Sequence, residues 1–169
     1  MKKNIVLVGF MGTGKSTITK ILAELLGWKS VSTDEMVVKK EGRSINDIFK
    51  ESSEAYFREC EHQAVLEVAQ YKDVIIDCGG GVVLNPANMK ALKQSGVVVH
   101  LSCEPKEILR RVNLQPKRPL LDVEDPLSRI NEMLNERAPY YHQADFSIDT
   151  SDGDLHKAAK EIIKRISND

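Results

Sequence analysis

Ile5-Val6-Leu7-Val8-Gly9-Phe10-Met11-Gly12-Thr13-Gly14-Lys15-Ser16 is the stretch from which the fold follows. Its first four residues are all apolar, the pattern of a strand buried on both faces of a parallel sheet. Gly9 to Ser16 satisfies GxxxxGK[ST], and behind it Ile18, Ile21, Leu22 and Leu25 share one helical stripe that Gly27 closes as a C-cap. Strand, glycine loop and helix in this order make a phosphate cradle. Backbone N–H groups converge on phosphate oxygens, the helix N-terminus adds the positive end of its dipole, Lys15 reaches the β/γ-phosphates and the Ser16 hydroxyl ligates Mg²⁺. Lys15 is read as a surface charge that serves the phosphates and packs against nothing. The competing readings are a glycine-rich turn with an incidental lysine, which the agreement of motif and context disfavours, and a dinucleotide fold, whose GxGxxG register is absent. The loop names a nucleoside triphosphate donor and leaves the acceptor open.

Outward from this unit, strands and helices alternate. Trp28 to Val31 is a short second strand, Asp34 opens a helix that Gly42 ends, and Ser44 with Asp47 resembles a capping box. A longer helix runs from about Ser53 to Gln70. Val74-Ile75-Ile76 is a third strand, closed by Asp77-Cys78 and Gly79-Gly80-Gly81. Asn85-Pro86 starts a helix, Val97 to Leu101 is a fourth strand, and Glu104-Pro105 starts another helix. Asn113 to Asp125 carries two prolines and no periodicity, as expected of a mobile lid at about 113–125. Pro126 to Tyr141 is helical, Phe146 to Ile148 a fifth strand, and Leu155 to Ile166 a closing amphipathic helix. Five apolar strands alternating with helices predict an α/β fold, a three-layer α/β/α sandwich around a five-stranded parallel sheet, in one domain spanning 1–169.

Composition excludes several classes of function. The 169 residues suit one domain, and 24 Lys+Arg against 25 Asp+Glu give a net charge of −1, so no basic field exists to hold nucleic acid or an anionic membrane. Aromatic residues, at 5%, are too few for a base-stacking platform. Cys60, Cys78 and Cys103 are odd in number and lack CxxC spacing, which disfavours disulfides and structural zinc and suits a reducing compartment. The apolar run after Met1-Lys2-Lys3 is too short for a signal peptide or a membrane span, so a cytoplasmic protein is expected. His62, His100, His142 and His156 show no metal-ligand spacing.

Further motifs narrow the acceptor. Thr33-Asp34-Glu35 follows the second strand, Phe57-Arg58-Glu59-Cys60-Glu61 fits FRxxE, and Gly79-Gly80-Gly81 follows the third strand. Arg118-Pro119-Leu120-Leu121 then gives RPLL, and Arg137-Ala138-Pro139-Tyr140-Tyr141 approximates RxPLY with tyrosine where leucine is usual. In this order and spacing the chain resembles the shikimate kinase family over nearly its whole length. The resemblance implies a fold like that of the nucleoside monophosphate kinases with a phosphate loop, ATP and Mg²⁺ as cofactors, and phosphorylation of the 3-hydroxyl of shikimate by a monomer. Another small-molecule kinase, acting on gluconate or a nucleoside monophosphate, and a regulatory module that binds nucleotide without turnover are the other readings.

The resemblance also distributes roles. Gly12, Thr13, Gly14, Lys15, Ser16 and Thr17 bind the phosphates. Arg111 and the segment Asp149 to Gly153, with Asp152, flank the adenine, and Arg118 closes from the lid onto the transferring phosphoryl. The acceptor site is placed within the helices of about 34–70, with Phe49 and Phe57 as walls. Arg58 and Arg137 clamp the carboxylate with the backbone of Gly79, Gly80 and Gly81; two guanidinium forks suit that planar group, although either alone could be a surface ion pair. Asp34 holds the acceptor hydroxyls as base or orienter, or caps its helix. Lys15, Asp34 and Arg118 are thus the catalytic candidates. The family usually begins the tripeptide ending at Asp34 with another aspartate that supports Mg²⁺ through water; here that position is Ser32. Asp77, ending an apolar strand as a Walker-B aspartate does, is the candidate substitute, and a plain strand-end role is its alternative.

Overall fold

The run Ile5–Val8 forms β1, with all four residues buried, because both of its faces are covered. Ile5 and Leu7 face Ile18 and Leu22 of α1 (Lys15–Leu26) and Ala159 and Ile162 of α8 (Leu155–Ser167). Val6 and Val8 face the other way. They meet Val65 and Val68 of α4 (Glu54–Val68), Met89 and Leu92 of α5 (Pro86–Ser95) and Tyr141 of α7 (Pro126–Tyr141). Each fully buried aliphatic side chain of this kind contributes about 1.5–3 kcal/mol.

The computed structural model describes residues 4–116 and 119–168. Among the described residues, β1 pairs in parallel with β3 (Val74–Asp77) and β4 (Val97–Ser102), β2 (Lys29–Ser32) adds outside β3, and β5 (Phe146–Asp149) outside β4. The order β2-β3-β1-β4-β5 is the expected five-stranded parallel sheet, with helices on both faces. It aligns the loops leaving β1, β2 and β3 along one sheet edge, where α/β folds place ligands.

Three expectations shift. The second strand runs Lys29–Ser32 rather than Trp28–Val31, because Ser32 completes the ladder opposite Asp77. It is not an apolar strand either: Lys29 and Ser30 are exposed, as an edge strand paired on one side allows. The helix after it, α2 (Thr33–Glu41), is capped by Ser32, whose Oγ accepts from Glu35 N at 3.3 Å, and not by Asp34. A helix α3 (Ile45–Glu51) follows the capping box at Ser44, and α6 (Pro105–Val112) leads toward the lid stretch. Within that stretch Pro119–Leu121 forms a 3-10 turn, and a second such turn, Val82–Leu84, follows the three glycines.

Candidate active site

Gly14 N-caps α1 at φ 97°, a left-handed conformation that strains other residues, and no side chain caps this helix. The first-turn N–H groups therefore face the loop as a ready anion site. Ser16 and Thr17 at this terminus are exposed. Lys15 is not the surface charge expected. It is buried, and its Nζ donates to the carbonyls of Gly9 at 2.8 Å and Phe10 at 3.0 Å, so that the ammonium spans the loop it serves. Ser16 Oγ donates to Asp77 Oδ2 at 2.6 Å, which joins the loop to the end of β3.

The loop is braced from the nucleotide side by a residue of the segment Asp149 to Gly153 that the sequence did not single out individually. Thr150, fully buried beyond β5, donates from Oγ1 to Thr13 O at 2.6 Å. Arg111 of α6 reaches the same place, donating to Gly12 O and Thr150 Oγ1, both at 3.3 Å, while Glu107 holds its Nε at 2.8 Å. The Glu107 carboxyl is held down at about 2 by hydrogen bonds from Arg110 and Arg111. Asp152, expected at the adenine, accepts from Asp154 N at 3.0 Å and Lys157 Nζ at 3.1 Å, in the groove between β5 and α8. Thr150 joins residues 137 positions apart, and no local pattern announces such a contact.

Beside the loop lies a cavity of about 130 Å³, lined by Asp34, Phe49, Phe57, Arg58, Glu61, Gly80, Gly81 and Arg137, with Met11, Ile45, Asn46 and Leu120. The structure thus gathers most of the predicted acceptor residues. Because Ser32 takes the cap, the Asp34 carboxylate is left to line this cavity. Gly79 packs behind it, and a Cβ there would fall 2.6 Å from Asp34 Oδ1 and 2.9 Å from Glu61 Oε2, so a side chain at this position would displace the carboxylates. Its N–H donates to Thr33 Oγ1 at 3.0 Å. Phe49 and Phe57 form a wall with ring centroids 5.2 Å apart.

The two arginines are held differently. Arg58 donates to Glu61 at 2.9 Å and Glu54 at 3.3 Å, partners on its own helix, and its Nε is buried without a hydrogen-bond partner among the described residues. Arg137 is buried, bonds Gly80 O at 3.3 Å and lies over the Phe10 ring. Tyr141 Oη also donates to Gly80 O, at 3.0 Å, and its ring stacks on His100 at 4.5 Å. Burial pushes the Glu61 carboxyl up, against the opposing Arg58 charge. His100 is pushed down to about 4, by burial first and then by the His142 and Lys15 charges.

Among the described residues no group of three or more His, Cys, Asp or Glu could hold a metal ion. The oxygen set of Ser16 and Asp77 fits Mg²⁺ nonetheless, since this ion keeps much of its water and takes phosphate oxygens. Arg118, the candidate lid arginine, and Lys117 lie outside the described residues. No helix among the described residues is long and apolar enough to cross a membrane.

The chain is similar to known proteins over nearly its whole length. A family profile described as shikimate kinase matches residues 11–167. A shikimate kinase of Caldanaerobacter subterraneus subsp. tengcongensis is 46% identical over 96% of this chain and 95% of its own. One of Thermoanaerobacter pseudethanolicus is 43% identical over the same shares. Among solved structures, the shikimate kinase of Acinetobacter baumannii in complex with shikimate superposes with a TM-score of 0.94 at 35% identity, covering 98% of this chain and 93% of that one.

Proposed function

The chain belongs to the shikimate kinase family, and from that premise we propose that it transfers the γ-phosphate of ATP to the 3-hydroxyl of shikimate through the residues of the loop and the cavity. The observation that carries this reading is the cavity in which one carboxylate, Asp34, and two guanidiniums, Arg58 and Arg137, meet beside the phosphate loop. That set is complementary to a small molecule bearing one carboxylate and several hydroxyls.

In this reading Arg58 and Arg137 grip the shikimate carboxylate, and the Arg58 Nε, which has no hydrogen-bond partner among the described residues, supports that role. Asp34 accepts a hydrogen bond from the attacking hydroxyl, orienting it and taking its proton as the new O–P bond forms and the bond to ADP breaks. Gly12 to Thr17 hold the phosphates, and Lys15 leaves its carbonyl partners for the β/γ oxygens. Bound Mg²⁺, held by Ser16, would neutralise phosphate charge. Arg111 and Thr150 frame the adenine side, with Asp152 at its margin. Arg118 stabilises the transferring phosphoryl from a lid at about 113–125, which excludes water from the closed site. The protein works as a monomer in the cytoplasm.

ADP release measured with ATP alone, with shikimate, and with a panel of other polyol acids and nucleoside monophosphates tests the proposal. Turnover that depends on shikimate is expected. Equal turnover with an acceptor lacking a carboxylate, or nucleotide binding without ADP release, would overturn it.

A further inference from the structure

We propose that Asp77, at the end of β3, is the positioning carboxylate of the Mg²⁺ site in this chain, acting through the Ser16 hydroxyl and a metal-bound water. This rests on the reading of the chain as an ATP-dependent kinase and deepens it.

Asp77 is a carboxylate 92% removed from solvent, being 8% exposed, and a charge so placed is costly unless it is bonded. Its Oδ2 receives one short bond, from Ser16 Oγ at 2.6 Å. A hydroxyl has one hydrogen and two lone pairs. Committing the hydrogen to Asp77 turns the lone pairs away from β3, toward the loop where the phosphates and their cation sit. The same bond raises the electron density on the serine oxygen and makes it a better ligand. The β1–β3 register fixes this placement, because Leu7 pairs with Asp77 and the chain leaves β1 directly into the loop.

Among the described residues, the neighbouring strand ends leave no other carboxylate for the task. Ser32 is the register partner of Asp77 across β2 and β3, and its Oγ is occupied in capping α2. Asp34 lines the acceptor cavity instead. Charge at this sheet edge is thus divided, with Asp77 toward the metal and Asp34 toward the acceptor. Because residues 32 and 77 are ladder partners, a carboxylate moved from one to the other stays at the same edge. Aspartate caps a helix about as well as serine, so Ser32→Asp keeps the start of α2 intact.

Calorimetric titration of ADP, with Mg²⁺ varied and with EDTA, tests this on the wild type, on Asp77→Asn and on the exchanged variant Ser32→Asp/Asp77→Ser, each confirmed folded by thermal unfolding. For Asp77→Asn the Mg²⁺ concentration giving half of the metal-dependent tightening of ADP should rise about 10- to 100-fold. Its ADP affinity in EDTA should stay within about twofold of wild type. The exchanged variant should recover at least part of the metal response. An unchanged Mg²⁺ requirement in Asp77→Asn, or a loss of ADP affinity equal with and without Mg²⁺, would overturn the proposal in favour of a plain strut between β3 and α1. If the exchanged variant fails to fold, Asp77→Asn alone decides. A wild type that shows this Asp77-dependent metal response but no shikimate-dependent turnover would sink the kinase reading and leave the metal assignment standing.

Discussion

Arg58 and Arg137 reach one cavity from different supports, so their removal has different costs. Arg58→Ala leaves Glu61 buried without its ion-pair partner, whereas Arg137→Ala leaves Gly80 O still bonded by Tyr141. Each should weaken acceptor binding by about 2–5 kcal/mol, read as a rise in the KM for shikimate with little change for ATP. Adding Glu61→Gln to Arg58→Ala should recover stability but not acceptor binding. Steady-state kinetics with a fall in ATP affinity and none in acceptor affinity would dismiss the clamp. Lys15→Met should abolish turnover, and because its Nζ satisfies two backbone carbonyls it should also cost about 1–3 kcal/mol of stability. A thermal melt together with an ADP-release assay checks both effects, and normal kcat would remove the phosphate-loop reading. Lys15 shows what the motif could convey. The spacing gave its identity and position, but its resting partners depend on how the loop folds back on itself. Thr150 was less legible still: it lies in the segment Asp149 to Gly153 expected beside the adenine, but its bond to the loop runs to distant backbone.

At the scale of elements, β1, β3 and α1 could be read directly because continuous apolar runs and a single helical stripe have few other meanings. The start of α2 was harder. Both Ser32 and Asp34 suit an N-cap, and the deciding signal was the pairing of Ser32 with Glu35 three residues on, a capping-box spacing. The extent of β2 was equally hidden, because Lys-Ser-Val-Ser has no strand pattern apart from the ladder to β3. The lid stretch has one apolar foot. Leu121 is buried with Phe10, Ile130 and Met133, and Leu120 packs against that cluster and lines the cavity, while Leu114 is 76% exposed. ATP analogue and shikimate together should slow tryptic cleavage after Lys117, the Arg118–Pro119 bond being resistant to trypsin, and Arg118→Ala should lower kcat more than it raises either KM. Cleavage at one rate with and without ligands would count against the lid.

For the molecule as a whole, partly buried His100 and buried Glu61 pull stability in opposite directions with pH. His100, held at about 4, lies below its unfolded value of 6.5. Its contribution is complete above 6.5 and is lost as the pH falls from there through about 4. Glu61 is raised above its unfolded value of 4.5. Its contribution is complete below 4.5 and is lost as the pH rises through the folded value. Tm measured from pH 4.5 to 7.5 should therefore lose part of its acid decline in His100→Phe, which keeps a ring on Tyr141, and should rise more steeply with pH in Glu61→Gln. Parallel curves for wild type and both variants would refute the assignment. The same sheet that gathers the site also ends in two short outer strands, and these bear on how the protein behaves when concentrated. β2 shows solvent a lysine and a serine, and β5 is bracketed by Asp145 and Asp149. A copy that tried to extend the sheet by strand addition would have four residues to pair with and would have to bury charge. The hydrophilic character that made β2 hard to recognise as a strand is also a guard against edge-to-edge aggregation.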